Sequence, residues 1–335
     1  MVMKRMERVL LVLTALTVLL YLGGHLADRA QAEGMEPAPA ETAAPETAEE
    51  TCPETEPEPD LREDACREVG TQIRAGCAFA YDVAQRKMLY SSVPATQQLY
   101  PASLTKLFSA YVALQYLPPD TVVTAGWELG MLQPGSSTAY IPMGSRLTVE
   151  MLVEAMLLPS GNDAAYILAA AAGRVIGGKQ DMGAKRAVAL FVEEMNRMGG
   201  ELGLANSHFE NPDGYHHENH YSCAGDLATI GELALSSDVI AKYARMQQDS
   251  VRFASGETIA WYNNNRLLNP ESAWYCEQAV GLKTGYTTEA GYCLLAAFEA
   301  GERQYLVGIL DADTTLSRYS DAVALFRAAN NPEGE

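Results

Sequence analysis

The chain has 335 residues, of which 48% are hydrophobic, so it is long and apolar enough for one large domain or two small ones. Its net charge of −19 argues against a nucleic-acid partner, because nucleic acids attract basic surfaces. The six cysteines lack the close CxxC spacing of zinc sites, so no zinc site is predicted, and disulfides and buried free thiols both stay open.

Residues 1–32 have the pattern of an export signal. Basic residues near the start precede an apolar run over 9–22, and an A-x-A pattern predicts signal-peptide cleavage after Ala32. The apolar run lies between the lengths typical of cleaved signals and of membrane spans, so an uncleaved N-terminal membrane anchor is the alternative. Either alternative places the rest of the chain outside the cytoplasm.

Residues 33–60 are predicted to be disordered. They are rich in Glu, Pro, Ala and Thr and show no apolar period, so they cannot bury enough surface to fold. Prolines and like charges keep such a segment extended. We interpret it as an acidic spacer that holds the predicted folded domain, residues 61–335, away from the membrane, with an inert leader as the alternative.

The folded part is predicted to begin with a hairpin formed by 75–83 and 87–93. Apolar residues at helical spacing then predict five helices, at 103–117, 147–158, 162–177, 184–204 and 225–237. The fourth of these is expected to stop at its Gly199-Gly200 pair. Strand character follows at 249–255, 279–287, 291–300 and 303–312, and a helix at 316–330 closes the chain. Strands at both ends with helices between them predict an α+β fold, in which one antiparallel sheet forms from distant segments and an all-helical part is inserted.

Ser103 and Lys106 stand three residues apart in ASLTKL, a spacing that places both side chains on one face of a helix. A serine hydroxyl is a poor nucleophile unless a nearby base takes its proton. A lysine can be that base only when burial or a second cation lowers its pKa. The S-x-x-K pattern is weak by itself, because such pairs often arise by chance.

Two later stretches strengthen the interpretation of this pair as nucleophile and base. The S-G-N stretch places Ser160 and Asn162 between two predicted helices, where a hydroxyl and a carboxamide can relay a proton and bind a substrate amide. The K-T-G stretch places Lys283, Thr284 and Gly285 on a predicted strand. It supplies a second cation, a hydrogen bond for a carboxylate and room for an extended substrate along the strand edge.

S-x-x-K, an S-x-N stretch and K-T-G occur in the order that is typical of penicillin-binding proteins and class A β-lactamases. ASLTKL, SGNDAA, NPDGY, HYSCAGDLA and GLKTGYT…AGYCLLAA together resemble the serine D-alanyl-D-alanine carboxypeptidases. These are the low-molecular-mass penicillin-binding proteins of peptidase family S11, and the resemblance covers about 75–330. It implies a penicillin-binding-protein/β-lactamase-like fold, with an antiparallel sheet flanked by helices plus an all-helical subdomain, and no cofactor or metal.

The resemblance also implies a role for each motif residue. Ser103 attacks the carbonyl between the two terminal D-alanines of a peptidoglycan stem peptide, and Lys106 takes its proton. Ser160 passes the proton to the leaving D-alanine, while Asn162 orients Lys106 and the substrate. Water then hydrolyses the acyl-enzyme. Penicillin, a substrate mimic, acylates Ser103 and leaves slowly.

Substrate binding is implied for the residues of the K-T-G strand. Lys283 and Thr284 hold the terminal carboxylate with help from Arg318, and Gly285 leaves room for the substrate. The backbone N–H groups of Ser103 and Tyr286 form the oxyanion hole, which supplies a large part of transition-state stabilisation. Relatives often continue into a second, all-β domain and a C-terminal anchor. The expected place of any membrane tether here is therefore the apolar run at 9–22.

A class A-like β-lactamase is the first alternative. Such an enzyme needs a glutamate in an E-x-x-x-N loop for rapid deacylation, whereas Glu193 and Asn196 lie three apart within a predicted helix and S-G-N replaces S-D-N. A non-catalytic peptidoglycan-binding relative is the second alternative, and the intact reactive positions argue against it.

The remaining marked residues are predicted to be structural. His216 and His220 lie four apart in HHENH, after a turn signal that makes a helix doubtful. The stretch from His217 to His220 is one residue short of H-E-x-x-H, so no metal site is predicted there. Packing is predicted for Met151, Met156, Met195, Met198, Trp127, Trp261 and Trp274. Glu193 and Glu194 are expected on a solvated helix face.

Overall fold

A computed structural model describes residues 73–330 of the chain. The predicted export signal or anchor at 1–32, the acidic spacer at 33–60 and the first two cysteines, Cys52 and Cys66, lie outside these residues, so those interpretations stay predictions. Among the helices of the described part, none combines the length and the hydrophobicity that crossing a bilayer requires.

Nine strands and seven α-helices make up residues 73–330. The strands are β1 Cys77–Asp82, β2 Lys87–Ser91, β3 Val122–Thr124, β4 Arg146–Thr148, β5 Gln248–Arg252, β6 Thr258–Tyr262, β7 Ala279–Thr287, β8 Gly291–Ala300 and β9 Arg303–Ala312. The helices are α1 Thr105–Leu114, α2 Val149–Leu157, α3 Asn162–Ile176, α4 Ala184–Glu201, α5 Ala224–Ser236, α6 Asp238–Ala244 and α7 Thr315–Asn330.

The central sheet joins the two ends of the described chain, as the strand pattern predicts. Its order is β2-β1-β9-β8-β7, and every neighbouring pair is antiparallel. Side chains alternate between the faces of a strand. On β8, Leu294 therefore packs into the core shared with α7, whereas Leu295 packs into the core shared with the helical part. Strand β7, which carries K-T-G, lies at one edge of this sheet.

The inserted helical part is built around α3. Every residue from Asn162 to Gly173 is buried, and most are alanine or other small residues that let neighbouring helices approach closely. Helix α2 precedes it, and the Thr148 hydroxyl caps α2 by accepting a hydrogen bond from the Met151 N–H at 3.2 Å. This helix pair places the S-G-N stretch in the turn between α2 and α3.

The bounds of two predicted helices differ from the structure. The helix predicted at 103–117 is α1, Thr105–Leu114. Ser103 lies before it in a 3₁₀ turn, Ala102–Leu104, whose first residue has a left-handed backbone (φ 47°). Helix α4 runs through its glycine pair to Glu201. Its end is closed instead by left-handed Gly203, so the chain turns there rather than at the pair.

The stretch at 249–255 does not join the central sheet, which corrects the prediction of a single sheet. It forms β5, which pairs only with β6 in a separate hairpin, and β6 is a strand that the sequence reasoning missed. Trp261 on β6 donates its Nε1–H to the carbonyl of Ala139 at 3.0 Å. A strand pattern in the sequence does not specify which strand will be its partner. Here the partner of β5 is β6, which Trp261 attaches to the loop at Ala139.

Side-chain burial confirms most of the structural predictions. The four methionines lie in or against the core, Trp261 is buried, and Trp274 packs beside Tyr319 with ring centroids 5.5 Å apart. Cys77, Cys223, Cys276 and Cys293 are buried free thiols.

Trp127 and Glu194 contradict their predictions. Trp127 is 81% exposed, because the buried Glu128 beside it turns inward to accept the Gly126 N–H at 2.7 Å and to pair with Arg174. Glu194 is buried, and hydrogen bonds from Arg197 and then from Tyr116 hold the pKa of its carboxyl below the usual value.

Candidate active site

The Ser103 hydroxyl and the Lys106 amine lie within hydrogen-bond distance. Lys106, in the first turn of α1, is fully buried, and its Nζ lies 2.8 Å from Ser103 Oγ. The same Nζ donates to Asn162 Oδ1 at 2.7 Å and to the carbonyl of Asp213 at 2.8 Å. The contacts with Asn162 and Asp213 therefore hold the amine beside the serine hydroxyl.

Burial lowers the pKa of Lys106 to about 8, although the negative charges of Asp213 and Asp163 act in the opposite direction. With such a value, roughly a tenth of the amine is neutral at pH 7. A neutral amine at this distance can accept the hydroxyl proton of Ser103.

The S-G-N turn enters the site mainly through its backbone and through Asn162. The Ser137 hydroxyl donates to the Ser160 carbonyl at 2.7 Å, and the Asn162 N–H donates to the Ser137 carbonyl at 2.8 Å. The backbone of Ser160 is in the left-handed region, with φ 63°, and the residue is 6% exposed. Within residues 73–330 its hydroxyl makes no hydrogen bond, so the relay role of Ser160 stays a prediction.

Three basic side chains lie near one another at the edge strand β7: Lys283 on that strand, and Lys106 and Arg318, whose charges act on it. Lys283 is buried and donates to the Thr284 carbonyl at 2.9 Å. Arg318, on α7, reaches the carbonyls of Gly285 and Cys293 at 3.5 Å each. Burial, followed by the charges of Lys106 and Arg318, lowers the pKa of Lys283 well below its usual value.

None of these three cations takes part in the ion pairs found within the described range. The Nε of Arg318 is buried without a hydrogen-bond partner. Unpaired buried cations are costly, so this region favours an anionic ligand.

Two glycines let the backbone of other segments approach the turn that carries Ser103. A Cβ atom at Gly285 would lie 3.0 Å from the Ser103 nitrogen, and one at Gly214 would lie 1.9 Å from the Ala102 carbonyl oxygen. Tyr286 follows on β7 and is 55% exposed, with its ring centroid 4.6 Å from that of Tyr292. The contribution of its N–H to an oxyanion hole stays a prediction.

A family model for D-alanyl-D-alanine carboxypeptidases, peptidase S11, matches residues 63–314. The chain belongs to this family. The predicted family and the predicted fold class are thereby confirmed.

Relatives and solved structures agree with the S11 assignment. The chain is 30% identical over 238 residues to the D-alanyl-D-alanine carboxypeptidase DacF of Bacillus subtilis, a match that covers 69% of this chain and 56% of DacF. The crystal structure of the Streptomyces K15 DD-transpeptidase superposes with a TM-score of 0.68 at 28% identity, covering 76% of this chain and 96% of that one. Penicillin-binding protein D2 of Listeria monocytogenes in its ampicillin-bound form gives a TM-score of 0.61 at 26% identity, covering 76% and 97%. The chain spans little more than half the length of DacF and of two similar Escherichia coli carboxypeptidases.

Sequence reasoning missed the carboxylates that support the S11 site. Asp213 is 1% exposed, and burial raises the pKa of its carboxyl, which is hydrogen-bonded to the Asn162 side chain. The Asp163 carboxylate accepts the N–H groups of Ala139 and Ile141 at 2.8 and 3.0 Å and so fastens that loop to α3. Both aspartates lie inside quoted motifs, NPDGY and SGNDAA. An acid in a motif that is otherwise apolar or turn-forming was the available signal.

The helix α4 environment argues against the β-lactamase alternative. Glu193 lies at the surface, 3.0 Å from Arg186. Asn196 exchanges hydrogen bonds with the backbone of Phe209 at 2.8 and 2.9 Å, which is a structural role. Glu193 therefore pairs with a surface arginine and does not provide the water-activating carboxylate of a class A β-lactamase.

Substituting Gly214 by alanine is expected to disrupt the nucleophile turn, and Gly203 offers a matched control. Both glycines have φ 82°, but a Cβ at Gly203 would meet nothing within 4 Å. Gly203→Ala should therefore cost only the left-handed strain, about 1 kcal/mol of unfolding free energy. Gly214→Ala adds a clash with Ala102 and should cost about 3 kcal/mol or more. Urea unfolding of both variants measures the difference, and equal losses would contradict the close contact.

Proposed function

We propose that this chain is an exported serine D-alanyl-D-alanine carboxypeptidase that removes the terminal D-alanine from peptidoglycan stem peptides through a Ser103 acyl-enzyme. The observation that carries the proposal is the buried Lys106 Nζ, 2.8 Å from Ser103 Oγ. A fixed amine with a lowered pKa beside a serine hydroxyl is suited to acyl transfer.

In the proposed acylation, Lys106 Nζ takes the hydroxyl proton while Ser103 Oγ attacks the carbonyl carbon of the penultimate D-alanine. The N–H groups of Ser103 and Tyr286 stabilise the oxyanion of the tetrahedral intermediate. When the C–N bond breaks, the proton passes through the Ser160 hydroxyl to the amine of the leaving D-alanine. Water, deprotonated by Lys106, then attacks the ester carbonyl. The bond from the acyl carbon to Ser103 Oγ breaks, Lys106 returns the proton to Ser103, and the shortened stem peptide leaves.

The terminal carboxylate of the substrate is proposed to bind Lys283 and Thr284, with Arg318 as a further cation. Because the charge of Lys106 lowers the pKa of Lys283, a Lys283 that stays protonated on a bound carboxylate is most stable beside a neutral Lys106. Binding of the correct substrate would thus promote the neutral form of the base. A β-lactam carries a carboxylate beside its reactive carbonyl and should acylate Ser103 in the same way.

The proposed location is the extracytoplasmic side of the bacterial cell envelope, where peptidoglycan lies. Export rests on the pattern of residues 1–32, and N-terminal membrane anchoring by 9–22 is the finer part of this proposal. Removal of the terminal D-alanine would deprive stem peptides of the donor bond needed for cross-linking, so the enzyme would limit cross-linking.

The proposal is tested by intact-mass analysis after incubation with benzylpenicillin, together with D-alanine release from a peptide ending in D-Ala-D-Ala. The wild type should gain one penicilloyl group and release D-alanine. Ser103→Ala should do neither, because the nucleophile is absent, and it should unfold at nearly the wild-type temperature.

The other outcomes separate the alternatives. Rapid loss of the adduct with turnover of penicillin would indicate a β-lactamase, and absence of both adduct and D-alanine would indicate a binding module. Addition of glycine as an amine acceptor would show whether the acyl group passes to an amine rather than to water.

A further inference from the structure

The turn that presents Ser103 has a backbone that its own residues do not favour. Ala102 is left-handed, with φ 47°, although alanine carries a Cβ atom that disfavours this conformation. Such a conformation persists only when its surroundings hold it. The contacts of the Ala102 carbonyl are therefore relevant to how Ser103 is oriented.

Two buried side chains reach that carbonyl from different parts of the chain. The Thr105 hydroxyl lies 2.9 Å from the Ala102 oxygen, and His220 Nε2 lies 2.8 Å from the same hydroxyl. On the other side of the ring, the Glu210 N–H points at His220 Nδ1 at 3.2 Å. Thr105 and His220 are 1% and 2% exposed, so water does not compete for these bonds.

Four groups form one series of hydrogen bonds, from the Glu210 N–H through His220 and Thr105 to the Ala102 carbonyl. The two end groups determine the direction of every bond in this series. The Glu210 N–H can only donate, so His220 Nδ1 must be the unprotonated nitrogen. In a neutral ring Nε2 then carries the proton and donates it to Thr105 Oγ1. The Ala102 carbonyl can only accept, so the Thr105 hydroxyl donates to it. A single tautomer satisfies all four groups.

The surroundings keep His220 neutral. The ring of Phe209 packs edge-on against it at 5.7 Å, and Phe209 in turn stacks on Phe108 of α1 at 5.1 Å. Burial, and then the charges of His208, His217, His216 and Lys106, lowers the pKa of His220 to about 3. In a protonated ring Nδ1 would carry a hydrogen that faces the Glu210 N–H, so the hydrogen bond between Glu210 and His220 would be lost.

We propose that Thr105 and His220 are positioning residues, which hold the Ala102 carbonyl and thereby the left-handed turn that points Ser103 Oγ at Lys106. The HHENH stretch then contributes to the site through one buried imidazole rather than through a metal. This inference rests on the proposed function, since it concerns the rate at which Ser103 is acylated.

The test compares isosteric substitutions by the second-order rate of acylation with a fluorescent penicillin, expressed per site that can be labelled. Thr105→Val removes the hydroxyl and should slow acylation about 30-fold, whereas Thr105→Ser keeps it and should stay within about threefold of wild type. His220→Gln keeps an N–H near the Nε2 position and should retain most of the rate. His220→Asn cannot reach Thr105 and should resemble Thr105→Val.

Normalisation to labelled sites separates positioning from folding, since a variant that only misfolds loses labelled sites but not rate per site. The double variant Thr105→Val/His220→Asn should be no slower than Thr105→Val, because both changes interrupt the same series of hydrogen bonds. Equal rates for Thr105→Val and Thr105→Ser, or additive losses in the double variant, would overturn the proposal.

A second readout does not depend on activity. Nitrogen-15 NMR of the histidine rings should find His220 neutral and protonated at Nε2 between pH 5 and 8, and a charged ring or the Nδ1–H tautomer would overturn the proposed chain. Failure of the wild type to label, with the Nε2–H tautomer present, would instead count against the proposed function alone.

Discussion

Replacing Lys106 by methionine is expected to slow acylation of Ser103 by penicillin about 10³-fold, the typical size of a general-base contribution. Methionine has a similar length but cannot accept a proton, and the fixed contact of Nζ with Ser103 Oγ at 2.8 Å is lost. Lys106→Arg should lose as much, because arginine stays charged and cannot act as the base. Stopped-flow or quench measurements of adduct formation give the rate.

Lys242→Met is the matched control, because Lys242 is a half-exposed lysine whose amine contacts Glu150 and Tyr243 rather than a residue of the three motifs. It should acylate at the wild-type rate. A Lys106→Met variant that keeps more than a tenth of the wild-type rate would show that another group takes the proton.

The same base predicts the pH dependence of the wild-type reaction. Only neutral Lys106 accepts the proton, so the acylation rate should rise with pH to a plateau above a midpoint of about 8 and fall about tenfold per pH unit below it. A rate that is flat between pH 6 and 8 would contradict a base with this pKa.

Lys283→Met is expected to lower kcat/KM for a peptide ending in D-Ala-D-Ala about 10²-fold, because a buried charge-assisted contact to the terminal carboxylate is lost. The same peptide with a C-terminal amide offers no carboxylate. For the amide, wild type and Lys283→Met should therefore differ by only a few-fold. Steady-state D-alanine or D-alaninamide release measures all four combinations.

This cycle isolates the carboxylate contact from any general damage to the site. Lys179→Met, a change at an exposed lysine, should leave both peptides unaffected. An equal loss for acid and amide would indicate that Lys283 supports the fold of β7 rather than the recognition of the carboxylate.

The local elements of this fold were predictable because they depend on residues close together in the sequence. Apolar spacing and the Thr148 cap predict α2, and the turn between 83 and 87 predicts the first hairpin. The left-handed Ala102 and the 3₁₀ turn at Ser103 were not predictable in this way. Alanine disfavours that conformation, and it occurs here where Gly214 lies close to Ala102 and the Thr105 hydroxyl donates to the Ala102 carbonyl.

Partner choice was the weaker part of the prediction. The stretch at 249–255 has the same strand pattern as the strands of the central sheet, yet it pairs with β6 beside the loop that Trp261 contacts. Trp127 illustrates the same difficulty, since apolar character predicts burial but the inward turn of Glu128 leaves the indole exposed.

The sequence by itself determined the family, the order of the three motifs, and the candidate nucleophile and base, because these are properties of residue identity and short spacing. Only the tertiary structure decided that Lys106 is fully buried, that its amine donates to the Asp213 carbonyl, and that His220 contacts the Thr105 hydroxyl. Those residues lie more than 100 positions from Lys106 and Thr105 in the chain. Burial and hydrogen bonding between such distant groups arise only when the helices and the sheet pack together.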